Sequence, residues 1–220
     1  MSERQVKSKK RVADHGEVFT SEREVNAMLD LVKDETERIG SRFLEPACGE
    51  GAFLIEILRR KMAVVKRVYK KSPFDYERYA VQAVTSIYGV ELLEDNVKIC
   101  RQRLFDLWNK EYTANTKKQA NDACRETVKF ILRKNIICGD ALTMLNNDGS
   151  PLVFAEWNIT TGNSIKRRDY TLSALLCDKD DQPSMFLQAG WVYDNDTQAY
   201  IPKPIREYPL TDYRRLNIYD

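Results

Sequence analysis

An open, mainly parallel α/β sheet is the architecture this sequence predicts, and three observations predict it. Short apolar runs, "SRFLEPA", "SIYGVEL" and "NIICGDAL", recur along the chain. Long stretches with apolar residues at helical spacing separate them, the alternation that builds a parallel sheet. Each run ends among glycines and acidic residues, where an open α/β sheet binds its ligands.

The elements follow in order. Residues 1–14 carry many basic residues and no apolar period, so a mobile basic arm is expected. Ser21 and Glu24 form an S-x-x-E capping box that starts a helix near Glu22. "SRFLEPA" is the first strand. From Ala52 to about Lys70, Leu54, Leu58, Met62, Val65 and Tyr69 mark one face of a long helix. A helix over about Tyr76 to Thr85 leads into the strand "SIYGVEL". "EDNVKICRQRLFDLWNK" is helical again, and the polar run "EYTANTKKQANDAC" is expected to interrupt it before a short helix near Arg125 to Arg133. "NIICGDAL" is the third strand. Beyond residue 145 the character changes. "NNDGSP" reads as a turn, "LVFAEW" as a strand, and "SIKRRDYTLSALL" as a basic loop running into a short helix. "MFLQAGWVYDNDTQAYI" reads as two strands joined at Asp194 to Thr197, and the proline- and tyrosine-bearing tail as an extended arm. Residues 15–145 thus form the ligand-binding α/β domain, and residues 146–220 a C-terminal extension with a basic loop and a β-hairpin.

Composition narrows the function. With 220 residues, 43% hydrophobic, and a formal charge of +2, the chain fits an ordinary globular protein. No apolar run suggests a membrane span, and the basic N-terminus lacks the apolar core of a signal peptide. Five cysteines without C-x-x-C spacing fit neither a zinc site nor a disulfide framework, so a cytoplasmic setting is expected. A single histidine, His15, leaves no two-histidine metal site.

The stretch "FLEPACGEGAFL" carries the chemistry. Gly49 and Gly51 permit a tight turn and close backbone approach. A dinucleotide fingerprint needs a third glycine where Leu54 stands, and Glu45 and Glu50 crowd a loop that would have to accept a pyrophosphate. An adenosine ligand with a cationic centre and no phosphate suits it better, and S-adenosylmethionine has those properties. Glu45 would face its ammonium group, Glu91 would accept the ribose hydroxyls, and Asp140 the adenine amino hydrogen.

"HGEVFTS", "FLEPACGEGAFL", "IYGVELLEDNV" and "CGDAL", in that order, resemble the amino-group, adenine-N6-like DNA methyltransferases of restriction–modification systems. The resemblance spans about residues 15 to 142. It implies a Rossmann-like methyltransferase fold, here incomplete, with a short irregular or β C-terminal extension. It implies that Phe19 and Thr20 touch the methionine end of S-adenosylmethionine, and that Glu45, Pro46, Ala47, Cys48, Gly49, Gly51 and Phe53 wrap it. It also implies that Glu91 and Leu92 hold ribose and adenine, with Asp140 and Ala141 over the adenine.

The family's catalytic block, Asn/Asp/Ser-Pro-Pro-Tyr/Phe, is absent, because no two prolines are adjacent. Its region reads "PLVFAEWNITTGNSIKRRDY". Asn158 as acceptor and Trp157 as stacking platform are the substitutes on offer, with a core role for Trp157 as the plain alternative. Lys166, Arg167 and Arg168 could meet DNA phosphates or form a solvated turn. The expected function is therefore a DNA methyltransferase-like protein whose partners are DNA and a second protein supplying the catalytic loop or target recognition. A catalytically inactive cofactor-binding or scaffolding subunit is the alternative.

Overall fold

The computed structural model describes residues 7–15, 18, 20–176, 191–195 and 198–219. The expected turn at 194–197 lies partly outside them, and Phe19, expected at the methionine end of the cofactor, wholly outside. The chain opens with helix α1, Lys9–His15. Two of the basic residues here are anchored, since Lys7 and Arg11 both reach Asp95, at 3.4 and 2.7 Å.

Helix α2, Glu22–Asp30, starts at the capping box read from the sequence: the Ser21 side chain accepts from the Glu24 amide, and the Glu24 carboxylate accepts from the Ser21 amide. A short helix α3, Lys33–Thr36, follows. Strand β1 is only Phe43–Glu45, and helix α4 runs from Ala52 to Tyr69. Pro73 stands in the first turn of α5, Pro73–Thr85, where its missing N–H costs nothing. Strand β2, Ile87–Glu91, precedes α6, Glu94–Thr116. Helix α7, Asp122–Asn135, feeds β3, Ile136–Asp140. The polar run does not interrupt α6 where the sequence suggested. Tyr112 and Thr116 are buried, and the Tyr112 hydroxyl donates to Glu77, so tertiary contacts extend the helix.

β1, β2 and β3 pair in that order, all parallel, and β4, Leu145–Asn146, returns antiparallel beside β3. The chain is thus α/β with a mixed, mostly parallel sheet. Phe43 packs against α4 with the Lys61 ammonium 5.0 Å from its ring centre. Lys61 itself is fully buried and donates to the carbonyls of Ile39 and Ser41 and to the Ser86 hydroxyl, joining the residues just before β1 and β2. Burial lowers its ammonium pKa to about 7.

The other face of the sheet is covered by strands the sequence only half anticipated. β5, Val153–Ile159, pairs antiparallel with β6, Ser164–Thr171. The Tyr88 hydroxyl donates to the Ala155 carbonyl at 3.0 Å, and its ring meets Phe154 edge-on at 5.5 Å. "SIKRRDYT" is therefore strand, not basic loop, and α8, Leu172–Leu176, follows it. β7, Trp191–Asp194, and β8, Ala199–Pro202, form the expected hairpin. The tail is no free arm. β9, Arg206–Glu207, and β10, Thr211–Asp212, pair with β6, and a closing 3-10 segment buries Tyr213 and Leu216. The Tyr213 hydroxyl donates to the buried Glu77 carboxylate at 2.8 Å.

Candidate cofactor-binding site

Sheet register places three acidic side chains on one face. Glu45 pairs with Gly89, and Glu91 pairs with Cys138. Partners across a ladder share a face, as do residues two apart along a strand. Glu45, Glu91 and Asp140 therefore project from the same side, each strand carrying its acid about 6–7 Å further along than the last. It is the side of α4: a Cβ on Gly89 would stand 3.0 Å from Leu54 and 2.9 Å from the Cys48 sulfur. Glycine at 89 is thus what lets the turn after β1 close onto β2.

That turn has the backbone its glycines suggest. Gly49 and Gly51 lie at φ +52° and +84°, and Gly51 caps α4. A Cβ on Gly51 would meet the Cys100 sulfur at 2.6 Å. Cys48 is buried and hydrogen-bonded with Cys100, which together with desolvation pushes its thiol far up, so this sulfur packs and does not react. Pro46 and Ala47 are exposed, and Phe53 is half-buried at the start of α4.

The three acids near the turn have different fates. Glu91 is buried, accepting from the Gly49 amide at 2.8 Å, the Leu93 amide at 3.0 Å and the Asn96 side chain at 3.2 Å. Its Oε1 takes two of those bonds and Oε2 one, so Oε2 keeps acceptor capacity. Glu50 turns outward, where Lys7 meets it at 2.7 Å and Arg103 at 3.9 Å. Its charge is compensated, which corrects the expectation that Glu50 adds an open negative charge to the loop. Glu45 is half-buried, with no cation against it among the described residues. Burial raises its pKa.

Beside Glu45 lies an apolar groove of about 220 Å³ between α2 and β1, lined in part by Met28, Phe43, Leu44 and Phe53. Thr20, half-buried, stands two residues before α2. Leu92 is 48% exposed next to Glu91, a flat apolar surface at the strand end. Asp140 accepts from the Leu142 amide at 2.8 Å and is half-buried, as is Ala141. Asn96 and Arg103 were not singled out in the sequence. Asn96 had a local signal, as a polar residue in the helix start after "GVEL". Arg103, whose guanidinium donates to the Glu50 carbonyl at 2.9 Å, had none.

The residues offered as catalytic substitutes stand elsewhere. The Trp157 indole is buried and donates to Asn135 at 2.8 Å, with its ring edge-on to Phe130. Asn158 borders a separate cavity of about 180 Å³ with Gly40 and Ser86, which precede β1 and β2. Both therefore sit at the amino ends of the parallel strands, opposite the glycine turn, because β5 runs against them. The basic triplet is also committed. Arg167 is 5% exposed and grips Asp169 through two bonds of 2.7 Å, with Tyr208 4.1 Å from its guanidinium. Lys166 pairs with Glu207 at 3.2 Å, and Arg168 with Glu207 at 3.4 Å and Glu156 at 3.8 Å. Burial removes Arg167 from any DNA contact, and its neighbours have acidic partners at hand.

Among the described residues no cluster of histidine, cysteine or carboxylates could hold a metal, and no helix is long and apolar enough to cross a membrane. Searches of curated proteins and of solved structures find no match. A family model described as the DNA-methyltransferase domain of MmeI matches residues 17–154, more than half of the chain and the whole of the glycine turn and three parallel strands. The chain belongs to that family, and is a DNA methyltransferase-type chain of the restriction–modification kind.

Proposed function

We propose that this chain binds S-adenosylmethionine at the carboxyl ends of β1, β2 and β3, as the cofactor half of an adenine-N6 DNA methyltransferase with a Rossmann-like fold. One observation carries the reading: Glu45 is desolvated without a cation among the described residues, at the end of β1 just before the turn that Gly49 and Gly51 form at positive φ. Such an acid fits a ligand that brings its own positive charge and no phosphate. Glu45 would hold the ligand's ammonium group, and Phe53, Thr20 and Phe19 its methionine end. Glu91 would take one ribose hydroxyl on Oε2. Leu92, Asp140 and Ala141 would bound the adenine. When bound, the cofactor supplies an activated methyl group for an exocyclic amine. The residues of this chain bind and orient it, and keep water from its buried end.

Amine positioning is assigned to a partner that brings the missing prolyl segment, because Trp157 and Asn158 lie at the wrong end of the sheet. That same displacement favours a second reading, a catalytically inactive S-adenosylmethionine-binding or scaffolding subunit. The purified chain with tritiated cofactor and mixed-sequence DNA separates them. Label that appears only after a protein carrying an N-P-P-Y block is added supports the divided enzyme. Cofactor binding without label under any condition supports the inactive subunit, and absence of binding rejects both.

A further inference from the structure

The basic N-terminal segment bridges the glycine turn and the first turn of α6, which flank Glu91 in the cofactor site. Lys7 Nζ stands 2.7 Å from Glu50 Oε1 on the glycine turn and 2.6 Å from Asn96 Oδ1 at the start of α6. Arg11 contacts both oxygens of Asp95, at 2.7 and 3.2 Å, and also Asn96 Oδ1 at 3.2 Å. The Arg11 guanidinium holds the Asp95 carboxyl down at about 2. Glu50 on the glycine turn and Asp95 in the first turn of α6 are like charges on the two segments flanking Glu91. Asn96 is buried, and its amide donates to Glu91 Oε1. With its carbonyl oxygen fixed by two cations, the amide group has one orientation left, with its NH2 toward Glu91.

We propose that Lys7 and Arg11 are positioning residues for the cofactor, strapping the glycine turn to the start of α6 and orienting Asn96 so that Glu91 presents Oε2 to the ligand. The inference rests on the cofactor reading above. Single exposed ion pairs contribute little; here two cations are shared among three acceptors on the glycine turn and the first turn of α6, and one acceptor touches the residue that meets the ligand.

The sign of the effect separates positioning from bulk electrostatics. Removing two positive charges near a site for a cationic ligand should tighten binding if charge alone matters. If the strap positions the site, binding weakens. The test measures S-adenosylmethionine affinity by calorimetry for the full chain, for Lys7→Ala with Arg11→Ala, for Arg11→Glu, and for Arg11→Glu with Asp95→Arg. Expected are a loss of roughly tenfold in the double alanine variant and in Arg11→Glu, the scale on which groups orienting a ligand's direct partner act in metal sites, and recovery in the charge swap. Unchanged or tighter binding in the double alanine variant overturns the strap while leaving the cofactor reading intact. If the unaltered chain binds no S-adenosylmethionine, the cofactor reading fails, and amide hydrogen exchange decides the strap. Faster exchange at Gly49 and Leu93 in the double variant supports it, and identical exchange overturns it.

Discussion

The Glu91 carboxylate accepts the Gly49 amide at 2.8 Å, tying the end of β2 to the turn that leaves β1. Two more donors, the Leu93 amide and Asn96, complete its shell on the protein side. A glutamine here would set an NH2 group against at least one of those donors. Glu91→Gln is therefore expected to loosen the turn and to reduce S-adenosylmethionine affinity at least about tenfold, since each bond to a charged group is worth about 1.5–3 kcal/mol. Calorimetry with the variant checks this, and an affinity equal to that of the parent would show that Glu91 only supports the turn.

Glu45 is expected to give the opposite trade. Its pKa is raised by burial, so at neutral pH its ionised form is less stable folded than unfolded. The sign follows: protonation as pH falls through the raised value favours the fold, and ionisation above it costs stability. Glu45→Gln should thus raise the melting temperature of the ligand-free chain at pH 7 while weakening S-adenosylmethionine binding. Affinity in the parent should fall as Glu45 protonates, and should not in the variant. Thermal melts with and without ligand across pH 4–8 would show both.

Lys61 gives the fold a different pH signature. Its folded pKa of about 7 lies below the ordinary 10.5. Between those values the unfolded chain holds a proton that the folded chain has released, so stability rises with pH from about 7 to 10.5 through this group. Lys61→Met should remove that component from denaturant melts taken at several pH values. It should also cost about 1–3 kcal/mol for the Ser41 carbonyl left without a donor, while the Ile39 carbonyl keeps the Ser86 hydroxyl at 3.1 Å.

Arg167 and its neighbours separate a structural role from nucleic-acid contact. Truncating one partner of a buried ion pair costs about 3–5 kcal/mol. Arg167→Ala is therefore expected to destabilise the β5–β6 layer, with lower melting temperature and lost near-ultraviolet signal from Trp157. Lys166→Ala with Arg168→Ala removes three surface pairs, two to Glu207 and one to Glu156, and should shift stability by less than about 1 kcal/mol per pair. If DNA touches this strand, the surface variant loses affinity with a shallower salt dependence. Equal binding by parent and surface variant at 50 and 200 mM salt would place the DNA elsewhere.

How far the sequence carries is clearest from single elements. The capping box at Ser21 and Glu24, the turn at Gly49 and Gly51, and the parallel strands ending at Glu45, Glu91 and Asp140 were all readable. They depend on neighbours within a few residues. β6 was misread because Lys166, Arg167 and Arg168 look solvent-seeking in any local window. Its burial pattern alternates, and the inward Arg167 is tolerated because Asp169, two residues on, faces the same way and neutralises it. α6 was cut short because the apolar period fades after Trp108, while Tyr112 and Thr116 are buried against other helices.

Where the acids stand was legible; what each does was not. Alternation of side chains along short strands sets Glu45, Glu91 and Asp140 on one face, and glycines at positive φ set the turn beneath them, both consequences of local backbone geometry. Which carboxylate remains available was settled by partners remote along the chain. Lys7 reaches Glu50, the Gly49 amide reaches Glu91, and no described cation reaches Glu45. Pairing of charges falls off over a few ångströms, and only the folded packing of distant segments brings them within that range.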